Sequence, residues 1–379
     1  MADHQAAIVA RFGASRRMEP EEELRLARLA ANPAPARDAA TVVLLRDAPV
    51  GSGIEAYLLR RTRAMSFAGG MHVFPGGRVD PSDAAEDLPW VGPSVEEAMP
   101  GLDDDPARAR ALVCAAVRET FEECGVLLAV PTGTSVPAGG ATPTGRNVPA
   151  GRVDAAGGAA GTGDPGTGDP GWAAERRAVE SHRSGLAELL TRRGLALRAD
   201  LLAPWTRWIA PELEPRRYDT RFFVAALPAG QLPGELATEL STEADGMLWI
   251  RPAEAMERFV AGEIGMLPPT AFTLAELSAY DDVAGALAAA RTRDLKPIMA
   301  RIVARDGTWQ LSFPHLLPPD GALGTPPDGA LGTPPDGALG TPPDGAPGTP
   351  PDGAPGTEPG TPSGTAPAPA AGTRGGVPR

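Results

Sequence analysis

The chain has 379 residues, including 46 Gly and 43 Pro, and a formal net charge of −13. More than half of the Gly and Pro falls in 131–171 and 318–379, so the composition is that of a globular protein carrying two low-complexity segments rather than of a disordered chain. The acidic balance excludes a protein held mainly by nucleic-acid phosphates, which normally shows a basic footprint, and Cys114 and Cys124 make no disulfide framework.

Residues 20–31 (PEEELRLARLAA) predict a short amphipathic helix with Leu24, Ala27 and Leu29 inward, ended by Pro33 and Pro35. Segments 40–46 and 54–60 read as two buried strands around a turn-rich stretch. Residues 71–80 form a short strand running into a Gly-Gly loop. Asp105-Pro106 is a strong helix start, and that helix runs to Cys124 and stops at Gly125. Val113, Ala116, Val117 and Phe121 lie at helical spacing and face the core. The two cysteines are about 15 Å apart along this helix, too far to bridge.

Val126–Val130 is the next strand. Residues 131–171, with the tandem GTGDPGTGDP, offer too little apolar surface to offset ordering entropy and read as a disordered insertion. Residues 173–193 are helical. Strands follow at Trp205–Ala210, Thr220–Leu227 and Met247–Ile250, then a helix from Pro252 to about Val260 and one or two helices in 270–293. Arg301–Ala304 and Trp309–Phe313 suit a hairpin around Asp306-Gly307. From Pro318, PPDGALGT occurs three times and PPDGAPGT twice, with too few apolar groups to stack, so 318–379 is read as a flexible, extended tail. The division is an N-terminal helical extension 1–36, a domain 37–317 with a disordered insertion at 131–171 and a helical one at 172–203, and the tail. With no apolar N-terminal core segment and no run of 18 apolar residues, the reading is a soluble cytoplasmic protein, not membrane-bound, with oligomeric state open.

The chemistry concentrates in Arg118-Glu119-Thr120-Phe121-Glu122-Glu123-Cys124-Gly125-Val126. Glu119, Glu122 and Glu123 stand at i, i+3 and i+4, so they share a helix face and repel one another. A hard divalent cation, Mg²⁺ or Mn²⁺, turns that repulsion into a site. Arg118 can tie down a carboxylate or meet a phosphate. A Glu-rich face is more often merely solvated. The apolar opposite face, and Phe74-Pro75-Gly76-Gly77 upstream where backbone can approach closely, favour a site.

These residues resemble the Nudix hydrolase box, GX5EX7REUXEEXGU. Gly77 matches its first Gly, Arg118-Glu119 its RE, Glu122-Glu123 its EE, and Gly125-Val126 its end. About 27 extra residues lie between Gly77 and Arg118, the box's earlier Glu falls on Arg110, and Thr120 replaces an aliphatic residue. Leu58–Ala64, Val73–Asp80, Trp208–Phe223 and Leu267–Thr270 resemble the coenzyme A-hydrolysing branch of that family.

The resemblance implies a Nudix fold, a mixed sheet between helices in an α/β/α sandwich with helical additions. It implies metal-dependent hydrolysis of a diphosphate in coenzyme A or an acyl derivative, giving adenosine 3′,5′-bisphosphate and a 4′-phosphopantetheine product. Glu119 and Glu123 would be the main metal ligands with Glu122 beside them, and Glu243, or else Glu239, the general base. Gly76, Gly77, Arg60, Arg61, Arg63, Arg78 and Arg221 are the weaker substrate-binding candidates, with Arg216 and Arg217. His72, Trp205, Trp208, Trp249 and the cysteines read as structural. The rival readings are the same chemistry on ADP-ribose, a dinucleotide or a nucleoside triphosphate, and a non-catalytic ligand sensor, against which the intact Glu122-Glu123 pair speaks.

Overall fold

A computed structural model of the chain describes residues 2–14, 16–17, 19–65, 68–134, 170–231, 244–305 and 308–313. All lie in the first of two units, Met1–Thr341; the second is Pro342–Arg379. The octapeptide repeats, most of the 131–171 insertion, the Asp306-Gly307 turn, Glu239 and Glu243 lie outside the described residues.

In chain order the elements are α1 (Ala2–Phe12), β1 (Arg16–Arg17), α2 (Pro20–Ala31), β2 (Ala36–Asp47), β3 (Ile54–Arg61), β4 (His72–Val73), β5 (Gly76–Arg78), α3 (Val95–Ala98) and α4 (Pro106–Cys124). They continue with β6 (Ala129–Pro131), α5 (Pro170–Glu180), α6 (Leu186–Arg193), β7 (Leu195–Leu197), β8 (Ala203–Ile209), β9 (Arg217–Ala226) and β10 (Ala244–Ile250). The last are α7 (Pro252–Val260), α8 (Pro268–Leu277), α9 (Val283–Ala290), β11 (Pro297–Ile298), β12 (Arg301–Arg305) and β13 (Thr308–Ser312).

The main sheet has the order β10-β3-β2-β9-β8-β11, with β4 on β3 and β5 on β2. β2 runs parallel to β9 and β8 parallel to β11, while the other pairs are antiparallel. β2 is central because Val42–Leu45 is a run with no polar face, which suits a strand covered on both sides. Val43 and Leu45 join one core with α1, α7, α8 and α9. Val42 and Leu44 join the other with α3, α4, α5 and α6. The α/β/α layering is therefore as expected.

α4 begins and ends as its sequence dictates. Asp105 accepts the Ala107 N–H at 3.0 Å, Pro106 opens the first turn, and Gly125 closes it in the left-handed conformation at φ 74°. Val113, Ala116, Val117 and Phe121 are buried.

Four expectations are corrected. Leu24 is 56% exposed and Ala27 is exposed too, so α2 forms where expected but does not present those residues to a core. The sequence reading misses α1, whose Ile8, Val9 and Phe12 are buried, with Phe12 stacked on Phe259 at 5.8 Å. Val126–Leu128 is buried without forming a strand: the Gln231 side chain takes the place of a partner, accepting from Leu127 N–H at 2.9 Å and donating to its carbonyl at 3.1 Å. Pairing begins only at Ala129. Finally, 173–193 is helical as expected but is broken between Glu180 and Leu186 into two helices, α5 and α6.

Candidate active site

The last turns of α4 lie against β5, and the glycines of β5 set how closely. Gly76 N–H donates to Glu123 Oε2 at 2.8 Å. A Cβ on Gly77 would stand 2.5 Å from Glu119 Oε1, so the carboxylate occupies the space a side chain would fill. Between them, Arg118 is 4% exposed. Its Nη1 donates to Glu119 Oε1 at 2.9 Å and Glu122 Oε1 at 3.1 Å. Its Nη2 donates to the Arg78 carbonyl at 3.0 Å. The helix spacing thus does what it predicts, bringing Glu119, Glu122 and Glu123 to one end of α4.

Arg118 is held from the other side by Asp83, which accepts from Nε at 2.8 Å and Nη2 at 2.9 Å. Asp83 is itself buried and also accepts the Asp80 N–H at 2.8 Å, closing the capping box of the 3-10 turn Pro81–Ala84. This corrects the register of the motif. Asp83 stands six residues after Gly77, where GX5E places its acid. The extra residues therefore lie between Asp83 and Arg118, and Arg110 is not the substitute. Arg110 instead caps the Glu86 and Leu88 carbonyls and lies over Trp90. The six-residue spacing from Gly77 is the signal for Asp83, and the insertion before Arg118 masks it.

Burying these acids raises their proton affinity. Burial pushes Glu119 up to about 7 against the pull of Arg118, with Glu122 adding to the rise. Burial raises Glu122 as well, again opposed by Arg118. Burial disfavours the Arg118 charge, but Asp83, Glu119 and Glu122 outweigh it and hold it protonated. Among the described residues no three His, Cys, Asp or Glu side chains converge as a closed ligand set: Glu119 and Glu122 turn to Arg118, and Glu123 turns to Gly76. The donors are all carboxylate oxygens, a chemistry that fits a hard divalent cation.

The other candidates divide. Arg60, Arg63 and Arg78 are exposed in whole or part, Arg60 pairing with Asp245 at 2.5 Å and Arg78 lying 3.8 Å from Asp80. Arg61 is partly buried on the ladder opposite Ala244. Arg216 is exposed, and Arg217 donates to the Ala210 and Ala34 carbonyls. Arg221 is corrected: it is 2% exposed and pairs with Asp103 at 2.6 Å and Asp219 at 2.7 Å, so it offers no free charge to a phosphate. His72, Trp205 and Trp208 are buried, and Trp249 is partly buried, edge-on to Tyr57 at 5.3 Å. Both cysteines are buried thiols, and burial pushes Cys114 up to about 12.

The family model of the NUDT19 Nudix domain matches residues 104–277, a span that holds α4 and the sheet strands β8, β9 and β10. That span is similar to a Nudix domain. It is 28% identical over 261 residues to the acyl-coenzyme A diphosphatase NUDT19 of Homo sapiens, covering 61% of this chain and 62% of that one. It is 28% identical over 280 residues to the protein of the same name from Gallus gallus, covering 65% and 69%. The chain thus spans somewhat less than two thirds of the human relative's length. A solved Nudix hydrolase from Alicyclobacillus acidocaldarius is 28% identical, with TM-score 0.46, over 67% of this chain and 96% of that one. Among the described residues no helix is long and apolar enough to cross a membrane.

Proposed function

We propose that the chain hydrolyses a diphosphate linkage, in coenzyme A or an acyl-coenzyme A, with Mg²⁺ or Mn²⁺. The observation that carries the reading is the Asp83–Arg118–Glu119/Glu122 network, which gathers buried carboxylates at one helix end beside a backbone N–H. Glu119 and Glu123, with Glu122, would hold the cation, which when bound polarises phosphoryl oxygens and acidifies a water. The chain's own contribution is positioning. Arg118 fixes two carboxylates, the Gly76 N–H fixes the third, and Gly77 leaves room for Glu119. Glu243, or else Glu239, would accept the proton of the attacking water. The NUDT19 relatives support coenzyme A as the substrate, and the exposed Arg60, Arg63 and Arg78 could hold its 3′-phosphate. The products would be adenosine 3′,5′-bisphosphate and an (acyl-)4′-phosphopantetheine.

The test is catalytic efficiency with Mg²⁺ on coenzyme A, its 3′-dephospho form, ADP-ribose and NADH. A site built to pair the 3′-phosphate should prefer coenzyme A strongly, because a ligand lacking it leaves charge unmatched. Equal or faster turnover of the dephospho form or ADP-ribose refutes the coenzyme A assignment. No turnover of any diphosphate refutes the diphosphatase.

A further inference from the structure

The segment α5–α6 lies outside the stretches that resemble the coenzyme A branch. The chain departs after β6 and returns at β7, and the two strands pair at the neck, Ala129 opposite Leu197 and Pro131 opposite Leu195. Thr132 N–H closes the neck on the Gly194 carbonyl at 3.0 Å. What the excursion brings back is α5, whose inward face lands on the last turn of α4. Trp172, Arg176 and Val179 stand at i, i+4 and i+7, share that face, and are all buried. Trp172 lies edge-on to Phe121 at 6.1 Å, with the Arg193 guanidinium of α6 over its ring at 4.4 Å. One turn on, Arg176 Nη1 donates to the Glu122 carbonyl at 2.9 Å.

Arg176 is the charged member of an otherwise apolar stripe and is only 3% exposed. Burying a guanidinium is costly where a leucine would pack without penalty. The carbonyl it meets lies at the end of the α4 ladder. Helical carbonyls pair with the N–H four residues on, and for Glu122 that residue is Val126, past the left-handed stop at Gly125. The carbonyl belongs to the peptide that joins Glu122 to Glu123, so one bond from α5 orients the backbone of both. Their side chains are held from elsewhere: Glu122 by Arg118 Nη1 at 3.1 Å, and Glu123 by the Gly76 N–H at 2.8 Å. The charge of Arg176 also offsets the partial negative charge at the carbonyl end of α4, which would otherwise add to that of the glutamates.

We propose that Arg176 is a positioning residue for the divalent cation: by fixing the peptide between Glu122 and Glu123 it sets the spacing of two carboxylates that, with Glu119, would hold the metal. The inference rests on the metal-dependent reading, and the test separates the two. Mn²⁺ binding to the full chain is titrated without substrate, from the loss of the free-ion EPR signal, for wild type, Arg176→Met, Arg176→Lys and Val179→Ala, at a temperature where circular dichroism shows each to be folded. Loss of an outer partner of a metal ligand weakens binding roughly 10–100-fold. Arg176 acts on the ligands through their backbone, so Arg176→Met should fall at the lower end, with the Mn²⁺ dissociation constant about tenfold higher. The Mn²⁺ concentration giving half-maximal turnover of coenzyme A should rise by the same factor, while KM for coenzyme A at saturating Mn²⁺ holds.

Arg176→Lys, which keeps a charge and a donor, should recover part of the affinity. Val179→Ala loosens the same face of α5 without touching the bond, so it should lower the melting temperature and leave Mn²⁺ affinity alone. Should Arg176→Met not fold, Arg176→Gln takes its place in the comparison. An unchanged Mn²⁺ dissociation constant on loss of the guanidinium overturns the proposal and leaves the metal-dependent reading standing. Equal weakening by Val179→Ala overturns it too, because the loss then comes from loosening α5 as a whole. If the wild type binds no Mn²⁺, the metal-dependent reading fails and the inference falls with it.

Discussion

The two ends of α4 handle charge in opposite ways. Near its start, Arg108, Arg207 and Arg221 meet Asp38, Asp103 and Asp219, three cations against three anions, with contacts from 2.5 to 3.8 Å. Near its end, Arg118 alone is shared by Asp83, Glu119 and Glu122. The first cluster is balanced and ties β2, β8 and β9 to the helix. The second carries surplus negative charge in a place where burial makes it costly, and that surplus asks for a cation. Buried charge therefore marks structure where it is neutralised and chemistry where it is not.

If so, substitutions at the two ends should fail in different measurements. The largest effect is expected for Glu123→Gln, which keeps the shape and removes a charged ligand. Turnover should fall by at least roughly 10–100-fold, the loss seen when even an outer partner of a metal ligand is removed, with the melting temperature unchanged or raised. Full turnover by this variant, or by wild type in excess chelator, would sink the metal-dependent reading. Next, Arg221→Met strips a buried cation from Asp219 and Asp103 and should cost about 3–5 kcal/mol in denaturant unfolding, while kcat per folded molecule stays at the wild-type value. A matching loss of kcat would mean that Arg221 serves the reaction after all.

Asp83→Ala lies between these extremes. It leaves Arg118 buried with two carboxylate partners and the Arg78 carbonyl, and should cost about 2 kcal/mol together with turnover, because Glu119 and Glu122 lose their support. Asp83→Asn, which keeps one acceptor, should recover part of both. Gly77→Ala sharpens the contrast: the three atoms nearest its Cβ all belong to the end of the Glu119 side chain, so stability should fall by less than about 1 kcal/mol while displacement of the carboxylate lowers kcat about tenfold. The smallest effect is expected from removing 318–379. Its repeats offer no ligand cluster, so melting and turnover should both be retained; a drop of several degrees would show that the tail docks, since about 1 kcal/mol moves a domain of this size by roughly 2–4 °C.

What could be read in advance follows the range of the forces involved. α4 was legible to the residue because its Asp-Pro start and Gly stop act within one turn, and so was the gathering of its glutamates. α7 opened at Pro252 for the same reason. Asp83 is hidden although its distance from Gly77 is local, because the insertion lies between it and Arg118 and breaks the spacing back from the Arg118-Glu119 pair. α1 was missed because nothing within Ala2–Phe12 reveals that Phe259, far along the chain, will cover Phe12. The inward face assigned to α2 failed for the converse reason: periodicity gives a helix an apolar side, and only a partner makes that side buried. Arg221 stands as a phosphate candidate in the sequence because two of its aspartates, Asp38 and Asp103, come from distant segments, and only Asp219 shares its strand. The Gln231 bracket on Leu127 is likewise invisible to strand propensity.

One consequence concerns how the chain is made. β1 pairs with β13, Arg16 opposite Trp309, and α1 packs on α7 and α8. About 250 residues separate Phe12 from Phe259 and nearly three hundred separate Arg16 from Trp309, so these segments wait roughly 12–60 s for their partners at ordinary rates of synthesis. For that interval Ile8, Val9 and Phe12 have no native cover. The opening of the chain is thus the part that most needs a holding chaperone during translation, and the last part of the domain to become safe from aggregation.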